Sequence, residues 1–495
     1  MSLNDIRNER VRKLEILKEK GVDPFPASVK RDFSVAEALK NFSKLVKSRK
    51  PSYLVGRIMA VRGHGGAVFF DISDGSASLT TGGSSSIQAF IKKDEVGDEQ
   101  FSLFRDTTDI GDFVELKGNF FLTKKKEKTL KVLSWKMAAK SLRPLPEKWH
   151  GLQDVEERFR KRYLDLLANE DIKKKFVLRS KIISEIRNYL DKEGFLEVET
   201  PILQLLAGGA LAEPFKTHHN ALDSDLYLRI APELYLKKLL IGGFSKVYEL
   251  GRNFRNEGID VTHNPEFSML EMYEAYRDAE YLRNFTEKFL KAIVKKITGK
   301  TELQFDGNKI SFAKKFEIVS YYDILKKYAL IINSEKETRD DMALKAQQFG
   351  IKVEKFEDKE KITDNIFKKL CRPKIIQPTF VVDYPAGSSP LAKRKSDNPD
   401  LLDRFQLIIG GVEAVNAFSE LNDPLDQKQR FKEQDKARER GEKEVSPSDE
   451  DYLEAMEYGM PPAAGLGIGI DRLAMLLTDT HNIREIILFP TLRQK

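Results

Sequence analysis

The stretch from Val247 to Tyr276, reading VYELGRNFRNEGIDVTHNPEFSMLEMYEAY, constrains the fold of this chain more than any other. Its flanks VYEL and FSMLEMY are rich in strand-forming residues, and they enclose a turn centred on Asn256, Glu257 and Gly258. The pattern predicts a long antiparallel hairpin. Side chains on a strand alternate with a period of two, so Phe267, Met269, Glu271 and Tyr273 share one face of the return strand. Around the turn crowd Arg255, Glu257, His263, Asn264 and Glu266. A guanidinium forks onto phosphate oxygens, so Arg255 beside His263 suits an anion, while the carboxylate-bearing face next to it suits a cation. A strand of mixed polarity on a solvated sheet is the plain alternative. The adjacency of the two chemistries favours an amino acid meeting ATP.

Other clusters supply what the hairpin lacks. LAGGALAEPF carries a glycine pair, Gly208 and Gly209, suited to close backbone approach, and LYLRIAPELYLKKLL sets Glu233 at a strand-to-helix turn after Pro232. Alone, Glu233 reads as a complement to the helix dipole. In RFQLIIGGVEAVNAFSELND, strict alternation places Asn416, Phe418 and Glu420 on one face of a strand and Glu413 on the other. GLGIGIDRLAMLL is a glycine-spaced strand running into a helix that begins at Arg472. The spacing of Gly465, Gly467 and Gly469 is neither a dinucleotide fingerprint nor a phosphate loop. Such glycines let a ligand or a neighbouring strand approach closely, and Arg472 can reach phosphate.

The 495 residues predict two or three domains. Hydrophobic residues make up 41% and charged residues 33%, a globular profile, and no apolar run approaches the roughly 20 residues of a membrane helix. The charged opening MSLNDIRNERVRKLEILKEK lacks the apolar centre of a secretory signal, so a cytoplasmic location and no membrane partner are expected. One cysteine, Cys371, excludes an internal disulfide and a multi-cysteine zinc site, and the scattered histidines argue against zinc altogether. A net charge of +7 permits a nucleic-acid partner without requiring one.

Taken in order, residues 4–20 form a charged helix, with Val11, Leu14 and Leu17 at three-residue spacing, that is either solvated or laid against RNA. From Tyr53 to Met137, five short strands predict a small barrel of the oligonucleotide-binding type. Phe69, Phe70, Gln88 and the lysine-rich hairpin tip Lys124, Lys125, Lys126 and Lys128 could meet unstacked bases, although one of two adjacent phenylalanines must face the core. TTGGSSS reads as a flexible loop and SLRPLPEKWHGLQD as a linker. KFVLRSKIISEIRNYLDKEG is an amphipathic helix followed by the strand FLEVETPIL, and residues 281–375 read as a helical, charge-rich insertion. The domain boundaries are therefore 1–50 for the lead-in, 51–142 for the barrel and 143–495 for the larger domain. The class is α+β.

Several segments in fixed order, namely PEKWHGLQDVEERFRKRYLDLL, GFLEVETPIL, YLRIAPELYLKKLLIGGFSKVYELGRNFRNEG, THNPEFSMLEMY, FSELNDP and GLGIGIDR, make the chain resemble the bacterial-type class II lysyl-tRNA synthetases along nearly its whole length. The resemblance implies a catalytic domain built on an antiparallel sheet flanked by helices, an N-terminal OB-fold that reads the anticodon, and a homodimer. It implies ATP, L-lysine and tRNA(Lys) as partners and Mg2+ as cofactor. On this resemblance Arg255 contacts the α-phosphate, Arg472 the γ-phosphate and His263 the phosphate region, and these three are the catalytic group. Glu257, Asn264 and Phe267 complete the ATP site, with Phe267 stacked on adenine. Glu233 takes the lysine α-amine, Glu420 and Tyr273 its side-chain amine, and Asn416 its carboxylate, while Gly209, Glu271 and Phe418 line the pocket. Glu413 binds Mg2+; where the family carries a second metal carboxylate, this chain has Gln406, a weaker ligand. Glu213 stands where the family has a basic residue. Phe69, Gln88 and Arg62 match anticodon-reading positions, and Glu127 is the one hairpin glutamate available. A second reading, motivated by Gln406, is an RNA-binding or protein-lysylating paralogue with impaired tRNA charging.

Overall fold

The computed structural model describes residues 2–77, 84–146, 152, 154–210, 212–441 and 447–493, which divide into two compact units, Met1–Val177 and Leu178–Lys495.

In the first unit, the helix Leu3–Glu19 starts at a capping box, in which Ser2 accepts from the Asp5 N–H and the Asp5 carboxylate accepts from the Ser2 N–H. It is neither solvated nor free for RNA along its apolar side. Leu14 and Leu17 are buried, and the buried Arg10 donates to the carbonyls of Ile110, Ser141 and Arg143. The five expected strands, Ser52–His64, Ala67–Ala77, Ser84–Lys92, Phe113–Leu122 and Lys128–Ala139, close into a barrel in the spatial order first, second, third, fifth, fourth. Every pair is antiparallel except the third with the fifth. Phe70 points into the core beside Ile72, Ile87 and Leu130, leaving its neighbour Phe69 on the outer face. Within TTGGSSS, positions 84–86 belong to a strand and 80–83 lie outside the described residues, as does most of the linker between 147 and 153.

The second unit is organised on an eight-stranded sheet. From one edge it runs Glu317–Ser320, Thr379–Val382, Arg404–Ile409, Val412–Ser419, Ala463–Gly469, Glu266–Ala275, Lys246–Phe254 and Leu196–Glu197. The six central strands are antiparallel and the outermost strand at each edge pairs parallel. The hairpin therefore sits inside the sheet, paired from Phe254 with Glu266 to Lys246 with Glu274. One sheet face buries Tyr248, Leu270, Met272, Leu466 and Ile468 against the helices Glu170–Lys192, Ala279–Thr298 and Ile470–Leu477, which bring Ile186, Phe289 and Leu473. The opposite face carries Met269, Glu271 and Asn416 toward the cavity described below.

Residues 281–375 are not simply a helical insertion. The helix Ala279–Thr298 buries Leu282, Phe285, Phe289 and Ile293 in the main core, a hairpin spans Glu302–Phe305 and Asn308–Ser311, and Glu317–Ser320 is a sheet edge. Four-residue strands are too short for their alternation to stand out against charged neighbours. The remaining helices, Tyr321–Ala329, Arg339–Gln348 and Lys359–Ile366, gather a smaller core with Cys371. Burial pushes that thiol up to about 12, so Cys371 is a packed residue and not a nucleophile.

Candidate active site

The hairpin connection spans residues 255–265, longer than a turn, and curls over the sheet face. It lines a cavity of about 310 Å³ together with Glu233, Phe267, Glu271, Glu413, Asn416, Phe418 and Arg472. Gly209, Glu257, His263 and Asn264 line the same cavity. Most sequence-predicted residues, drawn from five separate stretches, therefore meet in one place. Tyr273, Glu420 and Gln406 stand behind its wall.

At one end the groups are cationic. Arg255 lies just beyond the outgoing strand, its guanidinium 5.1 Å from the centre of the Phe267 ring, and its buried Nε has no hydrogen-bond partner. Burial lowers its pKa and Glu257 opposes this; arginine remains charged in either case. A buried donor without an acceptor is costly, so this Nε is poised for a ligand oxygen. His263 shows Nδ1 to the Asp260 carboxylate at 2.9 Å and Nε2 to Arg472 Nη2 at 3.3 Å. A guanidinium only donates, so in this contact Nε2 accepts from Arg472 while Nδ1 faces Asp260. Asn264 donates to the Glu266 carbonyl at 2.6 Å, and Glu266 itself is exposed beside Arg252.

Arg472 is held by the start of its helix. Its neighbour Asp471 accepts from the Ser268 N–H at 2.8 Å and from Arg179 Nη2 at 2.7 Å, and Arg179 also donates to the Ser268 hydroxyl at 2.9 Å. Three elements far apart in sequence are thereby pinned beneath Arg472.

Glu413 corrects an expectation. Simple alternation puts it opposite Asn416, but the pairing shifts register: Leu407 faces Val415, then Ile408 faces Glu413, with Ala414 as the extra residue. This β-bulge turns Glu413 to the face of Asn416, and both line the cavity. The Glu413 carboxylate lies 3.8 Å from Arg372 and 4.0 Å from Arg472. Gln406 is 9% exposed, and its Oε1 accepts from the Tyr384 hydroxyl at 2.7 Å. Among the described residues no group of three or more His, Cys, Asp or Glu side chains could hold a metal ion. Glu213 is exposed, and it meets the site through its backbone carbonyl, which accepts from the Asn256 N–H at 2.7 Å.

The other end is acidic. Glu233 opens the helix Glu233–Ile241, and Glu271 accepts from the Tyr273 hydroxyl at 2.9 Å. Burial, reinforced by Glu233, raises the Glu271 carboxyl well above the usual range. Burial also raises Glu420, with Lys237 acting in the opposite sense. A Cβ on Gly209 would come to 3.0 Å from that of Glu233, and a Cβ on Gly465 would run into the Tyr273 ring and the Glu420 carboxylate, so both glycines are needed for close approach.

Sequence reasoning passed over two residues. Arg404 lines the cavity, donates to Asn416 Oδ1 at 3.0 Å and lies over the Tyr384 ring; two residues before a conspicuous glutamine, it offered no signal of its own. Lys237 lies 2.6 Å from Glu233 and 2.5 Å from Glu420. Its four-residue spacing from Glu233 was readable as a helical pair, but its contact with Glu420 was not.

On the barrel, Phe69, Phe90 and Phe121 form a half-exposed aromatic row, with ring centres 4.5 Å and 6.4 Å apart. Phe90 and Phe121 were missed, although Phe90 follows Gln88 by two residues on the same face. Gln88 accepts from the Thr129 hydroxyl at 2.9 Å, Arg62 donates to Asp71 at 3.1 Å, and Glu127 is exposed at the hairpin tip.

The family of class II tRNA synthetases (D, K and N) matches residues 154–493, and the OB-fold nucleic acid binding domain matches residues 53–138. The chain belongs to the class II tRNA synthetases. Similar proteins include the lysine–tRNA ligase of Pelotomaculum thermopropionicum, 48% identical over 495 residues, covering 100% of this synthetase and 96% of the relative. That of Carboxydothermus hydrogenoformans is 48% identical, covering 100% and 99%, and that of Syntrophomonas wolfei 47% identical, covering 100% and 98%. The closed barrel and the eight-stranded sheet of this synthetase thus correspond to the two matched regions.

Proposed function

We infer that this synthetase is a lysine–tRNA ligase, which joins L-lysine to AMP and then transfers the lysyl group to tRNA(Lys). One observation carries the reading: a single cavity has Arg255 and Arg472 at one end and the carboxylates Glu233 and Glu271 at the other. In the first step a lysine carboxylate oxygen attacks the α-phosphorus of ATP, and the bond to pyrophosphate breaks. In the second, a terminal ribose hydroxyl of the tRNA attacks the lysyl carbonyl and AMP leaves. Neither step asks much acid–base work of the protein, which must orient the reactants and neutralise phosphate charge. Arg255 would meet the α-phosphate, Arg472 and His263 the outer phosphates, and Phe267 the adenine, with Glu257 and Asn264 beside it. Glu233 would take the α-amine, and Glu271, Tyr273 and Glu420 the side-chain amine. Phe418 and Gly209 shape the walls, and Asn416, steadied by Arg404, would take the carboxylate. An aspartate in the same place would meet three glutamates and be repelled.

Magnesium belongs to the reaction as Mg·ATP. Mg2+ keeps most of its waters and takes one or two carboxylates along with substrate phosphates, a demand that Glu413 fits singly. Gln406 fits poorly, being neutral and engaged by Tyr384. Gln406→Glu should lower the half-saturating Mg2+ concentration for amino-acid activation several-fold, read by pyrophosphate exchange across a Mg2+ series; an unchanged requirement removes Gln406 from the metal argument.

The barrel would read the anticodon by stacking bases on Phe69, with Gln88, Arg62 and Glu127 around it. Stacking contributes about 1–3 kcal/mol per base, so Phe69→Ala should weaken tRNA binding about 5- to 150-fold while leaving pyrophosphate exchange unchanged. Equal loss in both assays would contradict that division of labour. The exposed side chains of Ile202, Leu203, Leu205 and Leu206 support a homodimer, and the single buried cysteine suits a cytoplasmic setting. The test of the whole reading is ATP–pyrophosphate exchange with each amino acid in turn. Lysine alone should support it, and exchange driven by another amino acid, or by none, would overturn it.

A further inference from the structure

Behind the acidic end of the cavity lies a resident ammonium. Lys237, on the helix Glu233–Ile241, is fully buried, with Nζ 2.6 Å from Glu233 Oε1, 2.5 Å from Glu420 Oε2 and 5.4 Å from the centre of the Phe418 ring. Glu233 lies one turn away on the same helix, whereas Glu420 arrives from the end of the strand Val412–Ser419. One cation therefore bridges two elements. The other ionisable groups facing this cluster are Glu271 and Tyr273 from the return strand, Arg255 from the hairpin loop and Tyr452 from the helix Glu450–Glu457. Neither oxygen of the Glu420 carboxylate has a hydrogen-bond partner, so its contact with Lys237 is an ion pair.

Two carboxylates that share one ammonium at these distances lie close to each other. The ammonium between them offsets their mutual repulsion, and without it like charges in a buried site compete for a proton. Burial works against the charge of Lys237, and Glu233 and Glu420 more than offset it, so its pKa is raised and the ammonium persists. Lysine held as described above meets Glu233 with its α-amine and Glu420 with its side-chain amine.

We propose that Lys237 is a positioning residue for amino-acid specificity: a resident ammonium that ties Glu233 to Glu420 and screens their charges from each other, so that a ligand with two ammonium groups meets both carboxylates in place. The proposal rests on the lysine-ligase reading. It also explains why three glutamates can converge in a dry pocket. A neutral amino acid of similar shape brings one ammonium and leaves a carboxylate unmatched.

The test is the pH dependence of kcat/KM for lysine in pyrophosphate exchange with full-length protein. Lys237→Ala should move the acid limb up by about 1–3 pH units, because Glu420, raised by burial, then loses the cation that favours its charged form. Ethylammonium, which can refill the vacated space, should restore the wild-type profile, while ethanol should not. An unmoved acid limb in the folded variant, or equal rescue by ethanol, overturns the proposal and marks Lys237 as packing. If Lys237→Ala does not fold, Lys237→Met with Glu420→Gln removes both charges at nearly constant volume. Recovery of folding in the double variant supports the charge argument, and failure of both overturns it. Absence of lysine-dependent exchange in the wild type would instead reject the parent reading, so the two failures are distinguishable.

Discussion

Arg255→Ala is expected to lower lysine-dependent pyrophosphate exchange by about 10³-fold or more, with most of the loss in kcat. Arg255 is placed by its strand end and lies over Phe267, and its Nε is buried without an acceptor. A donor left unsatisfied in the free protein gains most when charge builds on a phosphate oxygen, because it needs no further reorganisation then. Alanine removes the fork and also the cation beside the Phe267 ring, so some loss of ATP affinity accompanies the loss of rate. Arg255→Lys should fall between, since a point charge cannot grip two oxygens in a plane. Quench-flow measurement of adenylate formation at saturating ATP and lysine would separate the two effects. A loss of less than about tenfold would mean that α-phosphate charge is stabilised elsewhere, with Arg472 the first alternative.

The hairpin was legible because its information is local. Period-two alternation put Phe267, Met269 and Glu271 on one face, and the structure lines the cavity with all three. Glu413 was misplaced because one extra residue, Ala414, inverts the alternation, and nothing in GGVEAVN distinguishes a bulge from a regular strand. Lys237 and Arg404 were missed for a different reason. Each acts through a partner distant in sequence, Glu420 and Asn416 respectively, and side-chain pairing across a sheet has no local signature. Within 281–375, charged surface residues mask the short strand Glu317–Ser320, whose place at the sheet edge is set by pairing with Thr379–Val382. Local periodicity thus located the elements, and tertiary register decided which side chains met.

Gly465→Ala tests that register directly. Gly465 pairs with Tyr273 on one side and with Phe418 on the other, in the middle of three strands that build the lysine end. A methyl group there meets the Tyr273 ring and the Glu420 carboxylate, both fully enclosed, so neither can swing away. Overpacking of this kind costs about 1–3 kcal/mol, and displacing Tyr273 would also strain its hydrogen bond to Glu271. The expected result is a lowered Tm, with lysine KM raised at least about tenfold and ATP KM nearly unchanged. Gly467→Ala provides the contrast. Its Cβ would press on the terminal methyl of Met269, the movable end of a flexible side chain, so Tm should hold while the methyl intrudes on the cavity itself. If the two variants lose the same stability, the glycines serve strand packing in general and the close fit around Glu420 and Tyr273 is not what selects glycine at 465.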